Sequence, residues 1–275
     1  MLKILFSLIA LAAAWPDFAL AQNAGKELIV EARASAKGAT IESGMIWRVF
    51  GGKPGEDKKL PLIASKRGGT SSFSLPAGTY LIHAAYGRAS ATKRISISKA
   101  DILESFVMEA GGLHLNATAA GAVITNSALI FMVYGIDQDD QGNRELIAGP
   151  VGADTIIRLS AGTYHVVSKF GDINASVRAE LQVKAGKVTQ ATLQQRAAII
   201  SLKFVSRKGG DPIANTAWTV LSEPGEKLFE SNSVSPTLIL SEGKYEASVR
   251  NGDKVYAHNF EVVTGKKQVV EVLLK

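Results

Sequence analysis

The sequence has no cysteine, only four histidines, and few aromatic residues, which make up 7% of the chain. The absence of cysteine excludes a disulfide framework, a thiolate zinc site and a cysteine nucleophile. No two histidines have metal-ligand spacing, and no Gly-x-Ser-x-Gly elbow occurs. We therefore predict that the protein is not an enzyme. We assign no catalytic, cofactor-binding or metal-binding residue, and we expect no cofactor.

The chain does have enough apolar residues to form packed cores. Of its 275 residues, 46% are hydrophobic, and it contains 26 glycines. This composition argues against wholesale disorder. Frequent glycine together with scarce aromatic residues is typical of many short strands joined by tight turns.

The first 21 residues have the pattern of an export signal. Lys3 supplies a short basic start, residues 4–15 are an apolar core, and Ala19 and Ala21 form a small-x-small site. We predict cleavage after Ala21 and a periplasmic or extracellular location. The alternatives are a buried first helix or an uncleaved anchor.

Residues 110–136 contain no Lys, Arg, Asp or Glu and exceed the roughly 20 residues that a membrane-spanning helix requires. The same stretch contains many polar residues and glycines, which a lipid-exposed helix would bury at a cost of several kcal/mol. We therefore expect two strands joined by a polar turn and no stable membrane span.

An internal repeat of about 80 residues organises the rest of the sequence. One six-residue motif, which we call the phrase, occurs three times, and the tyrosine that ends it is followed seven residues later by a glycine. The three copies are residues 75–80 (LPAGTY), 159–164 (LSAGTY) and 240–245 (LSEGKY), with the later glycines at positions 87, 171 and 252. A second repeated position, which we call the repeat anchor, precedes the phrase in each copy. It is occupied by Trp47, Phe131 and Trp218. We predict sandwich repeats at 22–111, 112–197 and 198–275.

Each repeat has the sequence pattern of an all-β unit. After each phrase tyrosine, apolar residues alternate with polar ones, as in a half-buried strand. We predict a fold of three tandem antiparallel β-sandwiches of immunoglobulin-like or prealbumin-like type after a signal peptide. The phrase glycine is expected at positive φ in a tight turn. The tyrosine is expected to pack inward and to bond a backbone group, as in a tyrosine corner.

The phrase, the alternating strand after it and the later glycine resemble the carboxypeptidase-regulatory-like and collagen-adhesin B-type repeats. These are prealbumin-like sandwiches common in bacterial exported and surface proteins. The resemblance covers nearly all of residues 27–275 and implies a stalk, adhesion or scaffold role. Some adhesin members carry a Lys–Asn crosslink assisted by a glutamate. Lys203, Glu246 and Asn259 are only a loose echo of it, so we expect no crosslink.

Two short motifs invite a chemical interpretation. Residues 137–143 (DQDDQGN) resemble a calcium loop, but the twelfth position holds Ala148 where such a loop ends in glutamate. Residues 207–211 (RKGGD) resemble a phosphate cradle, but Pro212 follows and no helix begins there. We interpret both as polar turns, and calcium binding at the first remains open.

Positive charge is concentrated in the first repeat. Residues 27–111 contain 12 basic and 8 acidic residues, whereas 112–197 contain 7 of each and 198–275 contain 10 and 9. A basic face could contact anionic polymers or lipid headgroups, and ordinary solvated charge is the alternative.

The sequence predicts a non-enzymatic exported envelope protein, a semi-rigid rod of sandwiches that acts in protein–protein interaction or scaffolding. The expected partner is an envelope or surface protein. A glycan-binding or envelope-polymer-binding module is the second hypothesis. Nucleic acid is not expected as a partner, because no aromatic residues interleave with the basic pairs. Between repeats, Gly111 and Gly112 are the expected hinge.

Overall fold

The computed structural model describes residues 25–275. The predicted export signal lies outside the described residues. Within 25–275 every regular element is a β-strand. The strands are β1 (Lys26–Arg33), β2 (Met45–Gly51), β3 (Leu62–Gly68), β4 (Ser71–Leu75), β5 (Gly78–Tyr86), β6 (Ala89–Ile97), β7 (Ile102–Val107), β8 (Ala110–Ala119), β9 (Ala122–Val123), β10 (Leu129–Gln138), β11 (Arg144–Gly152), β12 (Ile156–Ser160), β13 (Gly162–Phe170), β14 (Ser176–Val183), β15 (Val188–Gln195), β16 (Ala197–Val205), β17 (Thr216–Ser222), β18 (Lys227–Ser231), β19 (Thr237–Ser241), β20 (Gly243–Asn251), β21 (Lys254–Val262) and β22 (Gln268–Leu273).

Six sheets form three pairs that share one plan. The first pair has strand orders β4-β1-β7 and β3-β2-β5-β6, the second β12-β8-β15 and β11-β10-β13-β14, and the third β19-β16-β22 and β18-β17-β20-β21. The short strand β9 pairs with β8 in addition. Each pair encloses its own buried apolar cluster. The predicted all-β fold of three tandem sandwiches is confirmed.

The smaller sheet of each pair is mixed rather than purely antiparallel. The first strand of each sandwich pairs in parallel with its last strand, as β1 with β7, β8 with β15 and β16 with β22. The sequence pattern gave no sign of this, because parallel pairing joins segments about 70 residues apart and leaves no local turn signal.

Alternating burial along the central strands builds each core. In β2, Met45, Trp47 and Val49 are buried while the residues between them are partly exposed. Trp47 meets Phe106 of the facing sheet edge to face, with ring centroids 5.2 Å apart. Phe131 and Trp218, at the matching places of the other repeats, are also buried. The repeat anchor therefore marks the sandwich interior.

The three phrase tyrosines make the same hydrogen bond. Each hydroxyl donates to the carbonyl oxygen four residues earlier at 2.9 Å. The tyrosine-corner prediction is therefore confirmed. Tyr80 and Tyr245 are buried, whereas Tyr164 is only half-buried.

The expectation for the phrase glycine is wrong for two of the three copies. Gly78 and Gly162 begin their strands without positive φ, and only Gly243, at +157°, has it. Positive φ occurs instead at the glycines seven residues after the tyrosines, Gly87, Gly171 and Gly252 (+63°, +75° and +60°). Gly87 and Gly252 lie in two-residue turns between hairpin strands, and Gly171 begins the five-residue connection between β13 and β14. The left-handed conformation at all three favours glycine.

The region expected to act as a hinge lies inside strand β8. Gly111 and Gly112 pair with β12 on one side, and Gly112 pairs with β15 on the other. A Cβ built on Gly111 would lie only 2.3 Å from the Lys184 carbonyl oxygen. Glycine is required here for close approach of neighbouring backbone, and the flanking pairing holds the segment in place.

The chain passes from the first apolar cluster to the second between Ala110 and Leu113. It passes from the second cluster to the third between Ala197 and Ala198. The uncharged segment 110–136 forms β8, β9 and most of β10, as the two-strand interpretation predicted. Among residues 25–275, no helix is long and apolar enough to cross a membrane.

Candidate interaction surfaces

The acidic segment 137–143 closes a hairpin between β10 and β11. One Asp139 carboxylate oxygen accepts hydrogen bonds from the backbone N–H groups of Gln141 and Asn143, at 2.9 and 2.8 Å. These bonds, that of Asn143 first, lower the pKa of Asp139. Its oxygens are thus used to shape the turn. In residues 25–275, no group of three or more His, Asp or Glu side chains is placed to hold a metal ion.

The glycine-rich turn after β16 already holds a carboxylate of its own chain. The Gly209 N–H donates to both oxygens of Glu271, at 3.0 and 3.2 Å. Gly210 N–H donates to the Arg207 carbonyl oxygen and closes the turn. This geometry fits the polar-turn interpretation. The Gly209 N–H, which a phosphate cradle would use to bind phosphate, already donates to the Glu271 carboxylate.

The three residues that loosely resemble a crosslink triad are not brought together. Lys203 is one of the partly exposed residues of β16 in the small sheet, between buried neighbours, and it lies opposite Glu271 on β22. Glu246 lies opposite Asn259 on the outer face of the large sheet. The core of the third sandwich separates Lys203 from the other two residues.

The two tryptophans among the described residues offer no stacking platform. Trp47 and Trp218 are 0% and 1% exposed. Trp47 Nε1 donates to the Gly69 carbonyl oxygen at 2.8 Å, whereas Trp218 Nε1 has no acceptor among the described residues. Exposed aromatic rings are what neutral sugars need for stacking, so these residues serve the cores instead.

The junctions between sandwiches repeat the same main-chain hydrogen bonds. At the first junction, Ala161 N–H donates to the Glu109 carbonyl oxygen at 2.6 Å and Gly186 N–H donates to that of Ala110 at 2.7 Å. At the second, the equivalent bonds join Glu242 N–H to Arg196 (2.7 Å) and Gly265 N–H to Ala197 (2.9 Å). The turn glycines Gly87 and Gly171 likewise pack against Arg158 and Ile239 of the next sandwich.

Side chains distinguish the two junctions. At the first, the Arg158 guanidinium lies over the Tyr86 ring at 4.9 Å. At the second, the Asn174 amide bridges to the third sandwich: its Nδ2 donates to Tyr245 Oη and its Oδ1 accepts from Ser241 N–H, both at 2.9 Å.

An exposed ion pair adds to the second junction. Arg196 Nε lies 3.2 Å from Glu242 Oε2, and this bond is the main cause that lowers the pKa of the Glu242 carboxyl. The same oxygen accepts a bond from Thr264 Oγ1 at 2.6 Å. The second junction therefore holds more side-chain bonds than the first.

A basic surface covers the outer face of the first large sheet. Arg67 on β3 lies opposite Ile46, Arg48 on β2 lies opposite His83, and Arg94 on β6 lies opposite Leu81. Residues directly opposite one another share a face of the sheet. We call Arg67, Arg48 and Arg94 the arginine diagonal. The charge surplus of this repeat is visible in the sequence, but its arrangement is not, because the three residues come from three separate strands.

His83 lies next to the centre of the arginine diagonal. Its Nδ1 lies 3.5 Å from Arg48 Nη1, which can only donate, so Nδ1 accepts. Burial and, second, the Arg48 charge lower the pKa of His83. The imidazole is therefore neutral near pH 7, and the positive charge of this face comes from its arginines.

Comparison with protein families gives one match. A family described as the Rhizobiales growth-associated tandem repeat domain matches residues 199–274. This stretch falls within the predicted third repeat and is about a quarter of the chain. No curated protein matches the sequence. The match supports a tandem-repeat unit and does not identify the carboxypeptidase-regulatory-like family.

Solved structures with some similarity include two pilins. The Bacillus anthracis TIE protein is 14% identical with a TM-score of 0.27, over 92% of this chain and 50% of its own. The minor pilin of Streptococcus agalactiae is 12% identical with a TM-score of 0.34, over 62% and 95%. A streptococcal ancillary pilin is 10% identical with a TM-score of 0.29, over 91% and 99%. The chain thus spans half the length of the first of these structures.

Proposed function

We propose that the protein is a non-enzymatic, exported component of the cell envelope. Its three sandwiches form a semi-rigid rod that presents its sheet faces and edges to a protein partner. The carboxypeptidase-regulatory-like or adhesin B-type kind of repeat is part of this proposal, since members of those families serve as stalks and scaffolds.

The observation that carries the proposal is the equivalence of the two junctions. A flexible linker would leave the backbone groups between domains to water, whereas here matching bonds join the connecting residues to the following sandwich at both junctions, and the Arg88 N–H donates to the Arg158 carbonyl oxygen across the first junction at 3.0 Å. Strand pairing begins within a few residues of each crossing. Segments this short and this fully bonded restrict rotation between neighbouring units.

Because the chain has no native cysteine, spin labels attach only to introduced cysteines, and the distance between two sandwiches can be measured. We would replace Glu56 and Glu226, both exposed in equivalent hairpin turns of the first and third repeats, by cysteine and attach spin labels. Pulsed electron resonance should give one narrow distance distribution. In a control, a Gly-Ser-Gly-Ser insertion after Met108 should broaden it. A broad distribution in the uninserted chain would contradict the semi-rigid rod.

Export and partnership require a separate experiment. N-terminal sequencing of the protein recovered from the envelope or medium should begin at Gln22. In-cell crosslinking from exposed positions should then join the chain to one envelope protein reproducibly. An intact N-terminus at Met1 on cytoplasmic material would contradict export, and crosslinking to no protein would contradict the scaffold role.

A further inference from the structure

The four strands of the first large sheet contain only one sign of charge. Strands β2, β3, β5 and β6 include five Lys or Arg residues and no Asp or Glu. The equivalent strands of the second repeat include three basic and three acidic residues, and those of the third include four and three. The same fold plan with mixed charge elsewhere shows that the sandwich itself does not require a basic sheet.

Two of the five basic side chains are engaged with the small sheet. Lys66 lies over the Phe73 ring, and Lys93 lies over Phe106 and 3.4 Å from Glu104. The three arginines of the arginine diagonal are not engaged in this way. Among the described residues, no carboxylate lies within 4 Å of their guanidinium groups.

The arginine diagonal crosses the whole sheet. It runs from Arg67 on one edge strand through Arg48 to Arg94 on the other edge strand. Strand spacing and rise place the Cα atoms of Arg67 and Arg48 about 8 Å apart, and those of Arg48 and Arg94 about 12 Å apart. Arg67 and Arg94 are exposed, and Arg48 is half-buried between Ser65 and His83.

We propose that the outer face of this sheet binds a linear, carboxylate-bearing polysaccharide, which lies across the strands along the arginine diagonal. Each guanidinium presents a planar fork that matches a carboxylate in two parallel hydrogen bonds. A linear polymer with carboxylates at regular intervals can engage the three arginines in turn, and each further contact becomes intramolecular. The proposal does not depend on the rod, because the face belongs to one sandwich.

Features of the face favour this occupant over other polyanions. Single-stranded nucleic acid needs aromatic rings for its bases, and the aromatic residue among the outward rows, Phe50, is half-buried. A membrane surface is favoured by projecting apolar side chains beside the charges. Ile46 and Leu81, between the arginines, are half-buried, and the exposed apolar residues of this sheet, Leu62 and Ile63, lie at one end of the edge strand β3 away from Arg67.

The test measures binding of the mature chain, residues 22–275, to immobilised polygalacturonate, which has one carboxylate per sugar. We expect binding that weakens as salt is raised. The triple variant Arg48→Gln, Arg67→Gln, Arg94→Gln should bind at least about tenfold more weakly. A matched control, Lys169→Gln, Arg178→Gln, Arg250→Gln, removes the same net charge from equivalent strands and should change the affinity less than about threefold.

Three outcomes would overturn the proposal. The first is no binding by the unmodified chain, and the second is an equal loss in both triple variants, which would show attraction by net charge alone. The third is tighter binding to phosphatidylglycerol vesicles, lost in the arginine variant, which would make this a membrane face. Circular dichroism shows whether the triple variant folds. If it does not, the double variant Arg67→Gln, Arg94→Gln, at the two exposed positions, replaces it. Triple replacement by lysine should restore only part of the affinity, because lysine keeps the charge without the fork.

Discussion

Asn174 of the second sandwich and Tyr245 of the third are joined by a hydrogen bond, from Asn174 Nδ2 to Tyr245 Oη at 2.9 Å. The same hydroxyl makes the tyrosine-corner bond to the Ser241 carbonyl oxygen. One buried phenol thus serves both the internal fold of the third sandwich and its attachment to the second. No amide occupies the equivalent place at the first junction, where the exposed Arg88 precedes the buried Ala89 as Asn174 precedes the buried Ala175.

Removal of the Asn174 side chain should therefore loosen the second junction. Asn174→Ala deletes a donor to Tyr245 and an acceptor from Ser241, and we expect a loss of about 1–3 kcal/mol in the free energy of unfolding. Arg88→Ala, at the equivalent exposed position of the first junction, is the matched control and should change it by less than about 0.5 kcal/mol. Urea unfolding measures both. Combining Asn174→Ala with Tyr245→Phe should cost less than the two separate losses added together, since the residues share a bond.

The two core tryptophans should respond differently to the same substitution. Trp47→Phe removes the donor to the Gly69 carbonyl oxygen, whereas Trp218→Phe removes an N–H without an acceptor. Both lose similar apolar contact. We expect Trp47→Phe to be more destabilising by about 1–2 kcal/mol. Thermal and urea unfolding of the two variants test this, and equal losses would show that the Trp47 bond has no net effect.

Gly111→Ala should strain the first junction. The added methyl group would lie 2.3 Å from the Lys184 carbonyl oxygen and 2.7 Å from Val183 Cγ1, so backbone must shift. Overpacking of this kind costs about 1–3 kcal/mol. Gly152→Ala, where nothing lies within 4 Å of the new Cβ, is the control. A wild-type melting temperature for Gly111→Ala would show that the backbone accommodates the methyl group and would contradict the requirement for glycine here.

His83 should make stability depend on pH. Its pKa in the folded protein lies below the ordinary value of 6.5, first because of burial and then because of Arg48. Below about pH 6.5 the unfolded chain therefore binds more protons than the folded one, so stability decreases as pH falls. His83→Gln should remove this part of the pH dependence. NMR titration should show the His83 pKa below that of a free histidine, and a higher value in Arg48→Gln. An unshifted titration would contradict the assignment.

Much of the fold was predictable from local patterns. The phrase tyrosines, the Trp47 anchor and the alternating strands repeat in sequence, and each reflects a requirement that acts within a few residues, such as a corner bond or a half-buried strand. The error over Gly78 arose because the phrase and the true turn are seven residues apart, and both contain glycine.

The contacts that were missed join distant parts of the chain. Arg48 and Arg94 are 46 residues apart in sequence and become members of one surface only through the pairing of β2 with β5 and of β5 with β6. Asn174 reaches Tyr245 across 71 residues. The hinge expectation failed for the same reason, because the Lys184 backbone that requires glycine at position 111 comes from a loop far along the chain.

The parallel pairing of first and last strands determines how each sandwich would respond to tension. Because β1 and β7 run in the same direction, the chain enters one end of the unit and leaves from the other. A pull on both ends slides the two strands past each other and loads all rungs of the ladder together rather than one after another. The ladders have six register pairs in the first and third units and eight in the second. Under such a load, the middle unit resists longest and the outer two extend first.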